Sequence, residues 1–294
     1  MPWSIADMPD QSGRTIVVTG ANSGLGLVTA TALAKAGARV ICACRDVDKA
    51  RSAFSGAAGR LEVRALDLAD LASVSVFADG IDTPIDVLIN NAGVMAVPLR
   101  RTADGFEMQL GTNHLGHFAL TGRLLPRITD RVVTVSSMMH RIGRIRLDDL
   151  NWANGYQRWL AYGQSKLANL MFAYELQHRL LVAGSAVRSV AAHPGYASTN
   201  LQSRTESIQD RLLRLSNSLF AQSAEMGALP SLYAATWPQL PGGTDVGPDG
   251  IGEQRGHPRP VGSSKASHDT EVQRGLWDAS ERLTGVRFAF AGAH

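Results

Sequence analysis

Two cysteines are all that this 294-residue chain contains. Cys42 and Cys44 stand two positions apart and would share one face of an extended strand, where ordinary disulfide geometry is poor. No CxxC pair and no Cys/His ligand spacing accompanies them, so no metal site is expected. Nowhere does an apolar run reach the roughly 18 residues of a membrane-spanning helix. Met1 to Asp10 lacks the basic-then-apolar pattern of a secretory signal. An excess of one charge is also missing, since 29 Lys and Arg face 26 Asp and Glu for a net charge of +3. The arginines are scattered, with Arg141, Arg144 and Arg146 the tightest group, so no nucleic-acid partner is expected. No internal repeat and no clear linker divides the chain. These absences lead to the expectation of one reduced, cytoplasmic domain without a membrane span. They leave a homodimer or homotetramer open.

Hydrophobic residues make up 45% of the chain, enough for a large core, which excludes a wholly disordered protein. Six apolar runs read as strands: Thr15 to Thr19, Arg39 to Cys44, Leu61 to Leu66, Asp86 to Asn90, Arg131 to Ser136 and Ala186 to Ala192. Helical patterns fill gaps at Gly26 to Ala36, Leu71 to Ala78, Gly105 to Leu125 and Ala161 to Leu181. Such alternation predicts βαβ units, hence a doubly wound α/β fold with a mostly parallel, Rossmann-type sheet in a single domain. Residues 14–199 would form the core and 200–294 a substrate-side region. Leu201, Ile208, Leu212, Leu215 and Leu219 recur at helical spacing and suggest either a lid or a stripe packed on the core. The Gly- and Pro-rich stretch from Leu240 to Pro260 reads as irregular loop, giving a mobile or irregular C-terminal third.

The first strand runs into Thr19-Gly20-Ala21-Asn22-Ser23-Gly24-Leu25-Gly26, which opens a helix. A strand-to-helix turn without side chains lets backbone approach a pyrophosphate, and the helix N-terminus supplies N–H donors. Glycines chosen only for a tight turn are the alternative. The spacing Gly-x-x-x-Gly-x-Gly resembles the cofactor motif of the short-chain dehydrogenases/reductases. Asn90-Asn91-Ala92-Gly93, Tyr162-Gly163-Gln164-Ser165-Lys166, and Pro194-Gly195 with Thr199 resemble three further motifs of that family, in its order. Asp104 to Glu107, Thr112 to Phe118, Ser165 to Asn169 and Leu283-Thr284-Gly285 look like its retinol dehydrogenase and protochlorophyllide reductase branch.

Tyr162 and Lys166 are four residues apart on an expected helix, hence on one face. A free phenol titrates near 10, too high for a base at neutral pH, and a nearby ammonium is expected to lower it. Tyr162 would then take a proton from an alcohol or give one to a carbonyl. A surface Tyr/Lys pair is the bland alternative. The resemblance implies that Ser137, rather than its rival Ser136, holds the reacting oxygen. It also implies that Asn113 links the lysine to solvent through water. His114 and His117 are expected to pack rather than to bind metal.

For the cofactor, the resemblance implies contacts from Gly20, Asn22, Ser23, Gly24, Leu25 and Gly26. Asp67 and Leu68 would lie at the adenine, and Asn90, Asn91, Ala92 and Gly93 along the adenosine side. Tyr162, Lys166, Pro194, Gly195 and Thr199 would lie at the nicotinamide, although Thr199 could be a plain loop residue. Folds that use NAD place an acid at the end of the second strand. Here Cys44 stands there and Arg45 follows, which suits a 2′-phosphate and predicts NADP(H). Asp46 complicates this, since it could pair with Arg45. The expected activity is hydride transfer between NADP(H) and an alcohol or carbonyl of a small, lipophilic substrate. Reduction of a carbon–carbon double bond is the alternative, with a nucleotide-sensing protein behind it.

Overall fold

The computed structural model describes residues 2–196 and 222–290. Six strands lie within three residues of the apolar runs: β1 (Thr15–Thr19), β2 (Arg39–Cys44), β3 (Arg60–Ala65), β4 (Ile85–Asn90), β5 (Ile128–Val135) and β6 (Arg188–Ala192). They pair in parallel in the order β3-β2-β1-β4-β5-β6. A parallel sheet is covered on both faces, which is why its strands read as continuous apolar runs. Ile16, Val17 and Val18 of β1 are all fully buried, yet Val17 faces a different core cluster from its two neighbours.

The helices α1 (Gly24–Lys35), α2 (Val47–Ala53) and α7 (Ala224–Thr236) cover one face of the sheet. The other carries α3 (Leu71–Asp79), α5 (Gly116–Leu124), α6 (Arg158–Val182) and α8 (Thr270–Thr284). The single helix expected over Gly105 to Leu125 is instead α4 (Met108–Leu110), a π-turn (Gly111–Leu115) and α5. Helical periodicity does not register one extra residue per turn, so the sequence reads as continuous. A Cβ on Gly116 would stand 2.3 Å from the Leu68 carbonyl oxygen, so glycine lets α5 close against the turn after β3.

The stretch from Leu240 to Pro260 is not irregular loop. It forms a hairpin of β7 (Asp245–Pro248), parallel to β6, and β8 (Pro258–Val261), antiparallel to β7. Proline hides these strands in the sequence because it cannot donate to a ladder. It is tolerated here because β8 is an edge strand with a partner on one side only.

The expectation of an irregular C-terminal third is corrected further by α7 and α8. Asp269 caps α8 by accepting from the N–H groups of Glu271 and Val272, and Gly285 ends it in the left-handed region. Trp277 of α8 packs 5.0 Å from Phe118, 5.9 Å from Phe172 and 4.5 Å from Phe288, measured between ring centroids. Ser280 of α8 meets His114 of the π-turn at 2.8 Å. The last helix therefore buttresses both α6 and the π-turn. The apolar stripe from Leu201 to Leu219 lies outside the described residues. No helix among the described residues is long and apolar enough to cross a membrane.

Trp277→Ala should lower unfolding free energy by about 3–5 kcal/mol, the range for deleting a buried large aromatic. Urea denaturation checks this: the midpoint should fall while the slope stays unchanged.

Candidate active site

Neighbouring strands β1 and β4 continue into helices on opposite faces, and a crevice opens between their C-terminal ends. The Thr19 hydroxyl spans it. Its oxygen accepts from the N–H groups of Asn91 at 2.9 Å and Ala92 at 3.0 Å, while Asn91 Nδ2 donates to the Thr19 carbonyl at 2.7 Å. Gly20 follows at φ +67°, and a Cβ there would lie 2.9 Å from Ala92. Glycine is required at this position by both the turn and the close approach. Gly24, Leu25 and Gly26 then open α1, whose N-cap Ser23 makes no side-chain capping bond and whose first turn holds no acid. The donors and partial positive charge of that helix end face an anion well.

Thr19 also meets His117 Nε2 at 2.9 Å. The other ring nitrogen, Nδ1, lies 2.9 Å from the carbonyl of Asn113, which can only accept. Nδ1 therefore carries the proton, and the Thr19 hydroxyl donates to Nε2. Burial pushes His117 down to about 4, so the ring is neutral. His114, pushed down to about 3 by burial, meets Ser280. Both histidines are buried hydrogen-bonding groups, and no cluster of three or more metal-ligating side chains occurs among the described residues.

Asn113 sits in the π-turn with its side chain on the loop after β4. Its Oδ1 accepts from Val94 N–H at 2.8 Å, and its Nδ2 donates to the Val94 carbonyl and Ser165 Oγ, both at 2.9 Å. Gly93 is held between two site residues: a Cβ on it would stand 3.1 Å from Asn113 Oδ1 and 3.5 Å from Lys166 Nζ.

The 25-residue α6 carries Tyr162 and Lys166 on one buried face. Lys166 Nζ donates to the Val135 carbonyl at 3.0 Å and lies 5.9 Å from the Tyr162 ring centroid. Ser137 follows β5, and its hydroxyl lies near enough to Tyr162 to favour the phenolate. Ser136 Oγ points the other way and donates to the Lys166 carbonyl at 2.9 Å. Of the two serines, Ser137 is thus the one beside the phenol. Burial pushes Tyr162 up to about 12, against the opposing effect of the Ser137 hydroxyl, and Lys166 down to about 8. The expectation that the lysine lowers the phenol is corrected here. Both groups are buried, and desolvation outweighs the Ser137 hydroxyl, while the ammonium is turned toward a backbone carbonyl.

The remaining positions are dispersed around this crevice. Asn90 is buried and donates to Thr121 Oγ1 at 2.9 Å, so its side chain is engaged within the protein. Asp67 Oδ1 accepts from Ala69 N–H at 2.9 Å, and Leu68 is buried. Asn22 Nδ2 reaches the Asp46 carbonyl at 3.5 Å. Arg45 is exposed and makes no ion pair among the described residues. Asp46 does not neutralise it, because Asp46 Oδ1 caps α2 by accepting from Lys49 N–H at 2.9 Å. Pro194 and Gly195 follow β6, with Gly195 at φ +63°. Thr199 lies outside the described residues. Sequence reading missed the contribution of the β7–β8 hairpin, whose Gln254 carbonyl accepts from Tyr196 N–H at 2.7 Å. Its only sequence signal was a Gly- and Pro-rich composition.

A family model described as short chain dehydrogenase matches residues 14–210. Homo sapiens retinol dehydrogenase 13 is 40% identical over 291 residues, covering 93% of this chain and 85% of that one. Homo sapiens retinol dehydrogenase 12 is 41% identical over 293 residues, covering 94% and 88%. Among solved structures, an uncharacterized protein from Mycobacterium Paratuberculosis matches with a TM-score of 0.87 at 53% identity, covering 99% of this chain and 100% of that one. A Beutenbergia cavernae chain described as an NAD(P) dependent gluconate 5-dehydrogenase, with bound NADP at low occupancy, matches with a TM-score of 0.59 at 27% identity, covering 78% and 92%.

The buried lysine gives a pH test. Its pKa is lower in the folded chain than its ordinary 10.5, so above about 8 the unfolded chain binds more protons. Stability contributed by this group is therefore lowest below pH 8 and rises toward 10.5. Chemical denaturation should show wild type gaining on Lys166→Met across that window. A flat difference would refute desolvation as the cause.

Proposed function

The chain belongs to the short-chain dehydrogenase family, and we propose that it transfers hydride between NADP(H) and an alcohol or carbonyl carbon of a small lipophilic substrate. It is an oxidoreductase, and the observation that carries the reading is the half-buried Ser137 hydroxyl beside the buried Tyr162 phenol, with Lys166 on the same helix face. The matched retinol dehydrogenases favour alcohol and carbonyl chemistry over reduction of a carbon–carbon double bond. Asn113, Ser137, Tyr162 and Lys166 are all retained, which speaks against a purely sensing role.

The residues fit a dinucleotide. The uncapped N-terminus of α1 would take the pyrophosphate, with Gly20, Asn22, Ser23, Gly24, Leu25 and Gly26 around it. Asp67, Leu68, Asn90, Asn91, Ala92 and Gly93 would line the adenosine side, and Pro194, Gly195 and Thr199 the nicotinamide side. When bound, NADP(H) supplies or takes the hydride. Ser137 would orient the substrate oxygen and stabilise its developing charge. Tyr162, a neutral phenol at neutral pH, would donate its proton to a carbonyl oxygen or accept one from an alcohol. Lys166 and Asn113 would hold the phenol side and Gly93 in register and pass protons toward solvent.

Lipophilic substrates are favoured by the half-buried Val94, Met95, Met138, Met139 and Trp159, which flank the catalytic positions in the chain. Preference for NADP(H) over NAD(H) is supported by exposed Arg45, unpaired among the described residues, and by the diversion of Asp46 to its helix cap. The B. cavernae relative with bound NADP agrees. The reading extends to a cytoplasmic enzyme, in keeping with a chain that holds only two cysteines.

NADPH oxidation across aldehydes and ketones of graded lipophilicity tests the activity directly. Tyr162→Phe should lower turnover by a factor of about 100 or more while NADPH affinity holds. Near-normal turnover in that variant would reject the assignment. Arg45→Ala should weaken NADPH binding by about 1.5–3 kcal/mol, the scale of a charged hydrogen bond, and leave NADH binding nearly unchanged. Equal losses for both cofactors, read by fluorescence titration, would overturn the NADP preference.

A further inference from the structure

Between β7 and β8 the hairpin turns through Gly252 and Glu253, both in the left-handed region, Glu253 at φ +57°. That conformation suits glycine, and a glutamate held there signals that its side chain is wanted. The Glu253 carboxylate accepts from Arg141 Nη2 at 3.0 and 3.1 Å and meets His193 Nε2 at 3.1 Å.

His193 is fully buried, and its Nδ1 lies 3.3 Å from the backbone N–H of Gly195, which can only donate. Nδ1 must therefore be bare, so the ring is neutral and its single proton sits on Nε2, donated to Glu253. The carboxylate thus selects the tautomer that can accept from Gly195. The other tautomer would set two N–H groups against each other at the Pro194–Gly195 turn.

The Arg141 arm leads to the serine. His140, next to Arg141, donates Nδ1–H to the Ser137 carbonyl at 2.7 Å and accepts Ser264 N–H at its Nε2 at 3.2 Å. The same hairpin also fixes the segment beyond Gly195. Gln254 takes Tyr196 N–H, while Gln222 donates from Nε2 to the Pro194 carbonyl at 2.6 Å and takes Gly256 N–H at 3.3 Å.

We propose that Glu253 is a positioning residue that locks the turn after Ser137 to the Pro194–Gly195 segment by bridging Arg141 and His193 and imposing the Nε2–H tautomer on His193. The inference rests on the dehydrogenase reading for its effect on turnover, but the tautomer lock is independent of it. No proton moves and no bond is made. Glu253 acts by fixing the relative placement of two chain segments, the turn after Ser137 and the Pro194–Gly195 segment at the end of β6.

The experiment uses full-length wild type, Glu253→Gly and Glu253→Gln, with Tyr162→Phe as the activity reference. Glycine removes the carboxylate but suits the left-handed backbone, so relief of that conformation offsets the lost contacts and thermal stability should change little. Long-range ¹H–¹⁵N NMR should show His193 as a single Nε2–H tautomer in wild type and as a mixture in Glu253→Gly. Glu253→Gln keeps an acceptor for Nε2–H and should restore the single tautomer. In Glu253→Gly, kcat should fall about 10-fold or more, as for a misplaced reacting group, with partial recovery in Glu253→Gln. A single Nε2–H tautomer persisting in Glu253→Gly overturns the lock. So does a kcat within about twofold of active wild type, or a loss of kcat that only follows loss of thermal stability. A wild type with no turnover on any alcohol or carbonyl would instead count against the dehydrogenase reading, and the NMR comparison still decides the lock.

Discussion

Two parallel strands that send their chains to opposite faces of a sheet must part, and their last backbone donors lose the ladder that satisfied them. At the β1/β4 divergence that problem falls on Asn91 and Ala92, and the Thr19 hydroxyl answers it by accepting both N–H groups. Leaving either donor buried and unpaired would cost about 1–3 kcal/mol. The same hydroxyl donates to His117, whose other nitrogen holds the Asn113 carbonyl in the π-turn. One side chain therefore ties the glycine loop, the Asn-Asn-Ala-Gly segment and the helix bearing Asn113. The crevice is open because the strands diverge, and it keeps its shape because Thr19 spans it.

The second constraint is desolvation. Tyr162 and Lys166 are both buried, and each is pushed toward its uncharged form. Holding them together requires polar partners that do not compete with chemistry. Val135 supplies a carbonyl for the ammonium and Ser137 a hydroxyl for the phenol. The helix carrying both is held from behind by α8, through Trp277 stacked on Phe172. Aromatic packing remote from the reacting atoms thereby sets the placement of the acid–base pair.

The third is the end of the crevice farthest along the chain. Pro194 and Gly195 leave β6 with a left-handed glycine and would be free to shift. The β7–β8 hairpin prevents this from one side through Gln254 and from within through Glu253 and His193. An edge hairpin with prolines in both strands is a poor sheet former, yet it suits this task. Its turn needs to present side chains and carbonyls to the segment beside it more than it needs a long ladder.

Much of this was legible in the chain itself. Six strands were marked by continuous apolar runs, because a parallel sheet buried on both faces leaves little choice of residue. Gly20, Tyr162 and Lys166 were marked by spacing, since strand–turn–helix geometry and one helix face demand those residues at those intervals. Arg45 beside Cys44 could also be read directly from the chain. Other features were decided by tertiary structure alone. Whether Asp46 opposes Arg45 depends on which helix it caps. That Ser136 turns its hydroxyl to the Lys166 carbonyl depends on how α6 packs at the end of β5. The phenol's upward shift depends on burial that no local pattern records. Glu253, His193 and Arg141 are far apart in the chain, and none stands in a motif. Only the packing of an edge hairpin against the end of β6 brings them together, because long-range ion pairs and ring tautomers follow from contact geometry rather than from sequence period.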